Sequence, residues 1–138
     1  MEKARRILEE SSYTCVLRKG ETVYTATERG VKPLVRWLAT GLDAKGFSAA
    51  DKVVGKATAY LYVLLGVKEV YAHIMSEAAA EVLSRHGITA AWGSLVPHII
   101  NRQGTGICPF EEAVLEIQTP EEAYAAIRAK MEIMNITL

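Results

Sequence analysis

Residues 48–66 read SAADKVVGKATAYLYVLLG, and this stretch decides which fold the chain adopts. Ser48 is a residue type preferred at a helix N-cap, and Gly66 is typical of the position just after a helix. The residues between them are apolar on most sides, which is typical of a helix buried against a sheet. We therefore predict one long helix from Ala49 to about Leu65. Its apolar run, Ala57–Val67, is shorter than the ~20 residues that cross a bilayer, so we interpret it as core.

The segments around this stretch alternate between strand and helix patterns. Upstream we predict a helix, a two-stranded hairpin with its turn, and a second helix that follows Pro33: Glu2–Glu10, Tyr13–Leu17, Arg18–Glu21, Val23–Ala26 and Leu34–Leu38. Downstream we predict strand, helix, strand and two further helices: Val67–Met75, Glu77–His86, Ile88–Trp92, Pro109 to about Glu116, and Pro120 to about Met134. Leu95–Ile100 fits an edge strand or a helical turn, because Pro97 argues against a central strand.

This order of elements predicts a single α/β domain over residues 1–138. A hairpin followed by strand–helix–strand units implies a mixed sheet that begins with an antiparallel pair. Helices then cover the faces of the sheet, in a three-layer α-β-α arrangement.

Composition and charge exclude several classes of protein. The chain has 138 residues with 16 basic and 16 acidic side chains, so its formal net charge is zero. A general nucleic-acid binder would need an excess of positive charge, and neutrality favours association into a homo-oligomer. Cys15 and Cys108 are too few for a disulfide framework. The charged N-terminus lacks the apolar core of a signal peptide, so we predict a cytoplasmic protein that does not bind membranes.

The strongest candidate site is the loop at residues 101–112, NRQGTGICPFEE. Its glycines allow the backbone to approach a ligand closely, and the loop ends where a helix begins, a position that favours anions. Cys108 would then lie at an N-cap, where the pKa of a thiol is lowered and a nucleophile is favoured. The alternative is a Gly-rich connector with a small buried cysteine. The candidate residues are Asn101, Arg102, Gly104, Gly106, Cys108 and Glu111.

A second candidate group lies in the decisive stretch itself. In the predicted helix, Lys52 and Lys56 are one turn apart and share a face, while Asp51 lies in the first turn. Gly55 inside a helix costs about 1 kcal/mol, which indicates close contact with a ligand or another backbone. The alternative is an exposed charged edge with a glycine needed for packing.

A third candidate is the pair Ser76-Glu77, where a predicted strand meets a helix. The carboxyl ends of strands are where open α/β sheets bind ligands. An N-cap serine followed by an acidic residue explains the same pair without a ligand.

The three histidines, His73, His86 and His98, are dispersed and lack metal-ligand spacing. We interpret each of them as structural. The sequence predicts no metal site and no cofactor.

Several of these strings together resemble a known family. DKVVGKA at residues 51–57, SEAAA at 76–80, INR at 100–102 and GTGICPFE at 104–111 are similar to the DUF1893 family of small prokaryotic proteins. The resemblance covers nearly the whole chain and implies a fold like that of cytidine deaminases.

The same resemblance argues against zinc chemistry. Zinc deaminases place two motifs at two helix starts. The first is a His or Cys followed two residues later by Glu, and the second is Pro-Cys-x-x-Cys. The His and Cys side chains bind the zinc ion, and the Glu is the general acid/base. We place these positions at residues 51–53 and 76–80, which contain no His or Cys. The thiolate and imidazole ligands are therefore missing, and we expect a protein that is not a zinc-dependent deaminase.

These observations lead to one functional hypothesis with two alternatives. The chain is predicted to bind a small anionic molecule, such as a nucleotide, with Cys108 as a nucleophile and Asp51 as a base or orienting group. The alternatives are a binding or sensing module without chemistry and a component of an oligomeric assembly.

Overall fold

Five strands form one mixed sheet in the computed structural model, which describes residues 1–101 and 103–138. The strands are β1 (Cys15–Lys19), β2 (Thr22–Ala26), β3 (Ser48–Val54), β4 (Glu69–Ser76) and β5 (Thr89–Val96). The helices are α1 (Glu2–Glu10), α2 (Lys32–Ala39), α3 (Lys56–Leu65), α4 (Glu77–Arg85), α5 (Pro109–Ala113) and α6 (Pro120–Ile133). The strand order is β2-β1-β3-β4-β5. Strand β1 is antiparallel to β2 and β3, whereas β3, β4 and β5 are parallel. The predicted mixed α/β class is therefore confirmed.

The hairpin that opens the sheet is also confirmed. Its strands begin and end within about two residues of the predicted bounds, and Gly20 turns the chain with a φ of 61°. That backbone conformation suits glycine because it has no Cβ.

The long helix predicted from Ala49 to Leu65 is wrong in its first half. Residues 48–54 form β3, the central strand, and the helix begins only after Gly55. Ala49 and Ala50 point to opposite faces of the sheet and are both completely buried. A strand buried on both faces shows no alternation of polar and apolar residues, so its pattern resembles that of a buried helix.

Ser48 accordingly does not cap a helix. Its hydroxyl donates a hydrogen bond to Glu69 Oε2 (2.5 Å) on the neighbouring strand β4. Asp51 and Lys52 are strand residues, and Gly55 is the N-cap of α3 and not a residue of the helix interior.

The helices pack on both faces of the sheet. Helix α1 covers one face, where Ala4 and Leu8 contact Val16, Ala50 and Tyr71. Helices α2, α3, α4 and α6 enclose the larger core on the other face. Helix α3 is the centre of that core, because it contacts the other three helices and the side chains of Tyr60, Leu61 and Tyr62 are fully buried.

Hydroxyl side chains cap the later helices, and the cap interpretation of Ser76 is confirmed. Ser76 Oγ accepts a hydrogen bond from the Ala79 amide (3.1 Å) at the start of α4. Thr119 Oγ1 accepts one from the Glu122 amide (3.3 Å) at the start of α6. Helix α5 ends at Ala113, three residues earlier than predicted, and β5 extends to Val96. Of the helices described, none has the length and apolar character needed to cross a membrane.

Candidate functional site

A cleft of about 520 Å³ opens where the hairpin, the end of β3 and the start of α5 meet. Three groups of residues line it. The hairpin side and the start of α2 contribute Ser12, Thr14, Thr27, Arg29, Gly30 and Val31. Strand β3 and helix α3 contribute Asp51, Lys52, Val53, Gly55, Ala57 and Thr58. The C-terminal side contributes Ile99, Cys108, Phe110 and Glu111. This volume is within the range of small-molecule sites in proteins.

Asp51 is the buried acid of the cleft. It lies on the central strand β3, and only 8% of its surface is exposed. Its Oδ2 accepts a hydrogen bond from the Tyr62 hydroxyl (2.6 Å), and its Oδ1 accepts a longer one from the Val53 amide (3.4 Å). Burial raises the pKa of Asp51 to about 7, although the hydrogen bond from Tyr62 opposes this shift. At neutral pH the carboxyl is therefore present in both its neutral and its charged form.

Cys15 extends this hydrogen-bonded group into the core. Its Sγ lies 3.0 Å from the Tyr62 hydroxyl oxygen, and Cys15 is the register partner of Asp51 across β1 and β3. Because the Tyr62 proton goes to Asp51, the Cys15 thiol is the donor in this contact. Burial raises the pKa of both Cys15 and Tyr62 well above their ordinary values, so both stay protonated at neutral pH.

Glu111 is the second buried carboxylate of the cleft, and the protein's own backbone holds it. Its two oxygens accept hydrogen bonds from the amides of Lys56 and Ala57, each at 2.9 Å. These amides belong to the first turn of α3, where N–H groups lack partners within the helix and a negative charge is stabilised. Glu111 therefore caps α3 from the separate segment α5.

Gly55 makes room for this cap. A Cβ atom at this position would lie 2.4 Å from the Glu111 carboxyl carbon. The φ of Gly55 is −100°, a value that other residues adopt readily, so the need for glycine comes from Glu111 alone.

The cleft unites five of the predicted site residues. They are Asp51, Lys52, Gly55, Cys108 and Glu111. Lys52 and Lys56 do not share a helix face, because Lys52 is on β3 and Lys56 is the first residue of α3. The Lys56 side chain is not part of the cleft lining, and its Nζ donates a hydrogen bond to the Leu115 carbonyl oxygen (3.0 Å).

The other predicted residues that the structure describes lie outside the cleft lining. Ser76 caps α4, and Glu77 is exposed in its first turn. Asn101 bonds within its own loop, where its Oδ1 accepts from the Thr105 amide (3.0 Å) and its amide donates to the Gly106 carbonyl (2.8 Å). Gly104 turns this loop with a φ of 71°. Arg102 lies outside the described residues.

Sequence reasoning missed four groups in and beside the cleft. Arg29 and Thr27 belong to the segment TERG that follows β2. The glycine after a charged residue in this segment could have indicated a loop that binds a ligand. Tyr62 was assigned to the core, although a buried tyrosine hydroxyl requires a hydrogen-bond partner. Cys15 gave no signal, since it lies within an ordinary strand pattern.

Comparison with known proteins places the chain among relatives of similar length. Residues 3–131 match the family described as TM1506, domain of unknown function (DUF1893). The chain is also similar to the crystal structure of a DUF1893 family protein, TM1506 from Thermotoga maritima. The two are 26% identical with a TM-score of 0.85, over 94% of this chain and 88% of that one. No curated protein matches the chain.

Replacing Gly55 tests the cap on α3. We expect Gly55→Ala to lower the free energy of unfolding by about 2 kcal/mol, because the new methyl group displaces the Glu111 carboxylate. The Glu111→Ala background should reduce that loss to a few tenths. The matched control is Gly106→Ala, since a Cβ at Gly106 meets no atom of residues 1–101 and 103–138 within 4 Å. Urea unfolding measures all four variants, and equal losses at Gly55 and Gly106 would contradict the cap.

Asp51 should make stability depend on pH in a defined window. Its pKa of about 7 in the folded protein exceeds the ordinary value of 3.8, so the folded state holds a proton that the unfolded chain releases. This contribution is complete below about pH 4 and is lost as the pH rises to about 7. Relative to Asp51→Asn, the wild type should lose about 2–3 kcal/mol between pH 5 and pH 8. Urea unfolding at both pH values tests this, with Asp43→Asn as the exposed control. Parallel wild-type and Asp51→Asn profiles would refute it.

The two thiols should differ in reactivity. We expect brief treatment with iodoacetamide to alkylate Cys108, which lines the cleft, and to spare Cys15, which is 2% exposed and bonded to Tyr62. Mass spectrometry of the digested protein identifies the modified residue. Urea-unfolded protein, which should react at both positions, is the control.

Proposed function

The chain belongs to the family described as a domain of unknown function, DUF1893. From the residues of its cleft, we propose that it binds a small organic anion. The supporting observation is that Lys52 and Arg29 line the same cleft from two different segments. Within residues 1–101 and 103–138, neither forms an ion pair with a side chain of the protein. Their charges are therefore available to an anionic ligand.

The uncharged lining suits the organic part of such a ligand. Phe110, Ile99 and Val31 offer apolar surface, and Ser12 and Thr27 offer hydroxyl groups. A mostly apolar wall with a few polar groups is the usual composition of a small-molecule site. We include nucleotides in the proposed ligand class because this cleft combines cations, hydroxyl groups and an aromatic ring.

The amides at the start of α3 do not bind the anion in this proposal. The sequence suggested that helix starts would hold the ligand, but Glu111 already accepts from the amides of Lys56 and Ala57. Side-chain cations are left to carry the recognition.

If the protein is an enzyme, we propose that its reaction depends on the Cys108 thiol. The thiol lines the cleft together with Asp51, and the second carboxylate there, Glu111, is already bonded to backbone amides. The sensing alternative uses the same cleft with an inert thiol.

We also propose that the fold is related to that of cytidine deaminases. It is supported by two parallel strands, β3 and β4, that each lead directly into a helix. The helix after β3 starts at Gly55-Lys56 and not at residues 51–53, where the sequence comparison had placed it.

The residues at these two helix starts do not fit a zinc ion. Gly55 has no side chain, and the Ser76 hydroxyl accepts from its own helix. Zinc sites in proteins use sulfur, imidazole or carboxylate ligands. In the described part of the chain, no three His, Cys, Asp or Glu side chains group as metal ligands. We therefore derive no zinc-dependent step.

An assembly role is the second candidate, and the edge strand β5 favours it. Strand β5 has a neighbour only on its β4 side in the described sheet, and it exposes Trp92 and Leu95. Unpaired strand edges with apolar side chains are surfaces that pair with other chains.

Binding of adenosine monophosphate tests the proposed function. We expect it to bind more tightly than adenosine, because only the phosphate engages Lys52 and Arg29. Lys52→Ala should weaken binding about tenfold, which corresponds to about 1.4 kcal/mol. Lys3→Ala on α1 is the control for loss of a lysine outside the cleft. Isothermal titration calorimetry measures each dissociation constant, and equal affinity for adenosine and its monophosphate would refute an anion site.

A further inference from the structure

We infer that Asp51 is the acid–base group of the cleft, where its carboxyl exchanges a proton with the bound molecule while Tyr62 and Cys15 hold it in position. The inference rests on the proposed binding site and adds a chemical step to it. Asp51 is the catalytic residue, and Tyr62 and Cys15 are positioning residues.

The position of Asp51 meets the geometric requirement for such a group. It is more than nine-tenths buried, yet it is part of the cleft lining. Strand β3 lies between β1 and β4, so its backbone is fixed by hydrogen bonds on both sides. A catalytic group on a rigid strand is placed more accurately than one on a loop.

The hydrogen bonds leave one carboxyl oxygen able to exchange a proton. Oδ2 is engaged by the Tyr62 hydroxyl at 2.6 Å, whereas Oδ1 receives the longer bond from the Val53 amide at 3.4 Å. The Cys15 thiol in turn fixes the Tyr62 oxygen at 3.0 Å. Oδ1 is therefore the oxygen that we assign to proton transfer.

The charged and titratable groups that line the cleft around Asp51, or bond to it, come from several elements, whereas its partner on β4 is Ala72. Cys15 on β1 and Tyr62 on α3 remain neutral. The cations are Lys52 on β3 and Arg29 before α2. Among the described residues of the cleft, Cys108 and Glu111 at the start of α5 are the other titratable groups. The two cations hold the charge of the bound anion, so the carboxyl alone changes its proton occupancy during the step.

The step conserves protons. The neutral carboxyl gives its proton to a nitrogen, oxygen or carbon atom of the bound anion, and the resulting carboxylate keeps the hydrogen bond from Tyr62. The carboxylate then takes a proton from a second atom of the same molecule, which restores the acid. The bound molecule is thereby isomerised, and no oxidant or further reactant is consumed.

Burial supports this assignment. It raises the pKa of Asp51 to about 7, so that both forms of the carboxyl are populated at neutral pH. A pKa near the working pH is the condition under which a general acid–base group is most effective.

The composition of the chain makes the test direct. Asp43 and Asp51 are the two aspartates of the sequence, and Asp43 is exposed. Protein labelled with carbon-13 at the aspartate carboxyl therefore gives two resonances, which Asp51→Asn assigns. We expect the Asp51 resonance to titrate near pH 7, where burial places its pKa.

A charge attached to Cys108 tests whether the pKa of Asp51 depends on charges inside the cleft. Sulfonatoethyl methanethiosulfonate adds a negative group and trimethylammonioethyl methanethiosulfonate adds a positive one. We expect the first to raise and the second to lower the titration midpoint of Asp51 by about half a pH unit or more. Cys108→Ser treated with both reagents is the control.

Two results would overturn the inference. One is an Asp51 resonance that does not titrate between pH 4 and pH 9, and the other is a midpoint that ignores both charges on Cys108. Tyr62→Phe removes only the hydroxyl group and should leave the fold intact. Because the lost hydrogen bond lowers the pKa of Asp51, this variant should raise the titration midpoint of Asp51. Since no ligand is used, failure of adenosine monophosphate to bind would count against the binding site and leave this test unaffected.

Discussion

The contact between the Glu111 carboxylate and the first turn of α3 is the constraint on which the arrangement of the cleft depends. It satisfies two backbone amides that the helix itself leaves without partners. It also ties α5, which is distant in sequence, to the end of the central strand. Cys108 and Phe110 occupy one wall of the cleft because this short segment is held there. Gly55 is the corresponding requirement in the sequence, since any side chain at that position would occupy the space of the carboxylate.

Two buried carboxylates thus lie in one cleft with different partners. Glu111 faces two amides of a helix start, which stabilise its negative charge and fix its position. Asp51 faces one hydroxyl group and a distant amide, so burial dominates and raises its pKa. The two acids therefore differ in the kind of partner that holds them, which is a pair of backbone amides for Glu111 and chiefly the Tyr62 hydroxyl group for Asp51. A structural role suits the first, and proton exchange suits the second.

Local patterns predicted much of the fold, and long-range contacts decided the rest. The hairpin, α4 and α6 follow from turn and cap residues that act within four positions of one another. Strand β3 was mistaken for helix because both of its faces are buried, so its pattern depends on partners far away in the chain. The same reason explains the site. Residue type singled out Cys108, Glu111 and Asp51, whereas Arg29 and Tyr62 come beside the cleft only through folding.

The edge strand β5 also governs how the protein behaves in concentrated solution. Its eight residues include no charged side chain, and the whole chain carries no net charge at pH 7, close to its isoelectric point of about 6.8. Electrostatic repulsion between molecules is then at its weakest, while the outer edge of β5 has no partner strand in the described sheet. We therefore expect colloidal stability to be lowest near neutrality and to rise in buffers one or two pH units away from the isoelectric point.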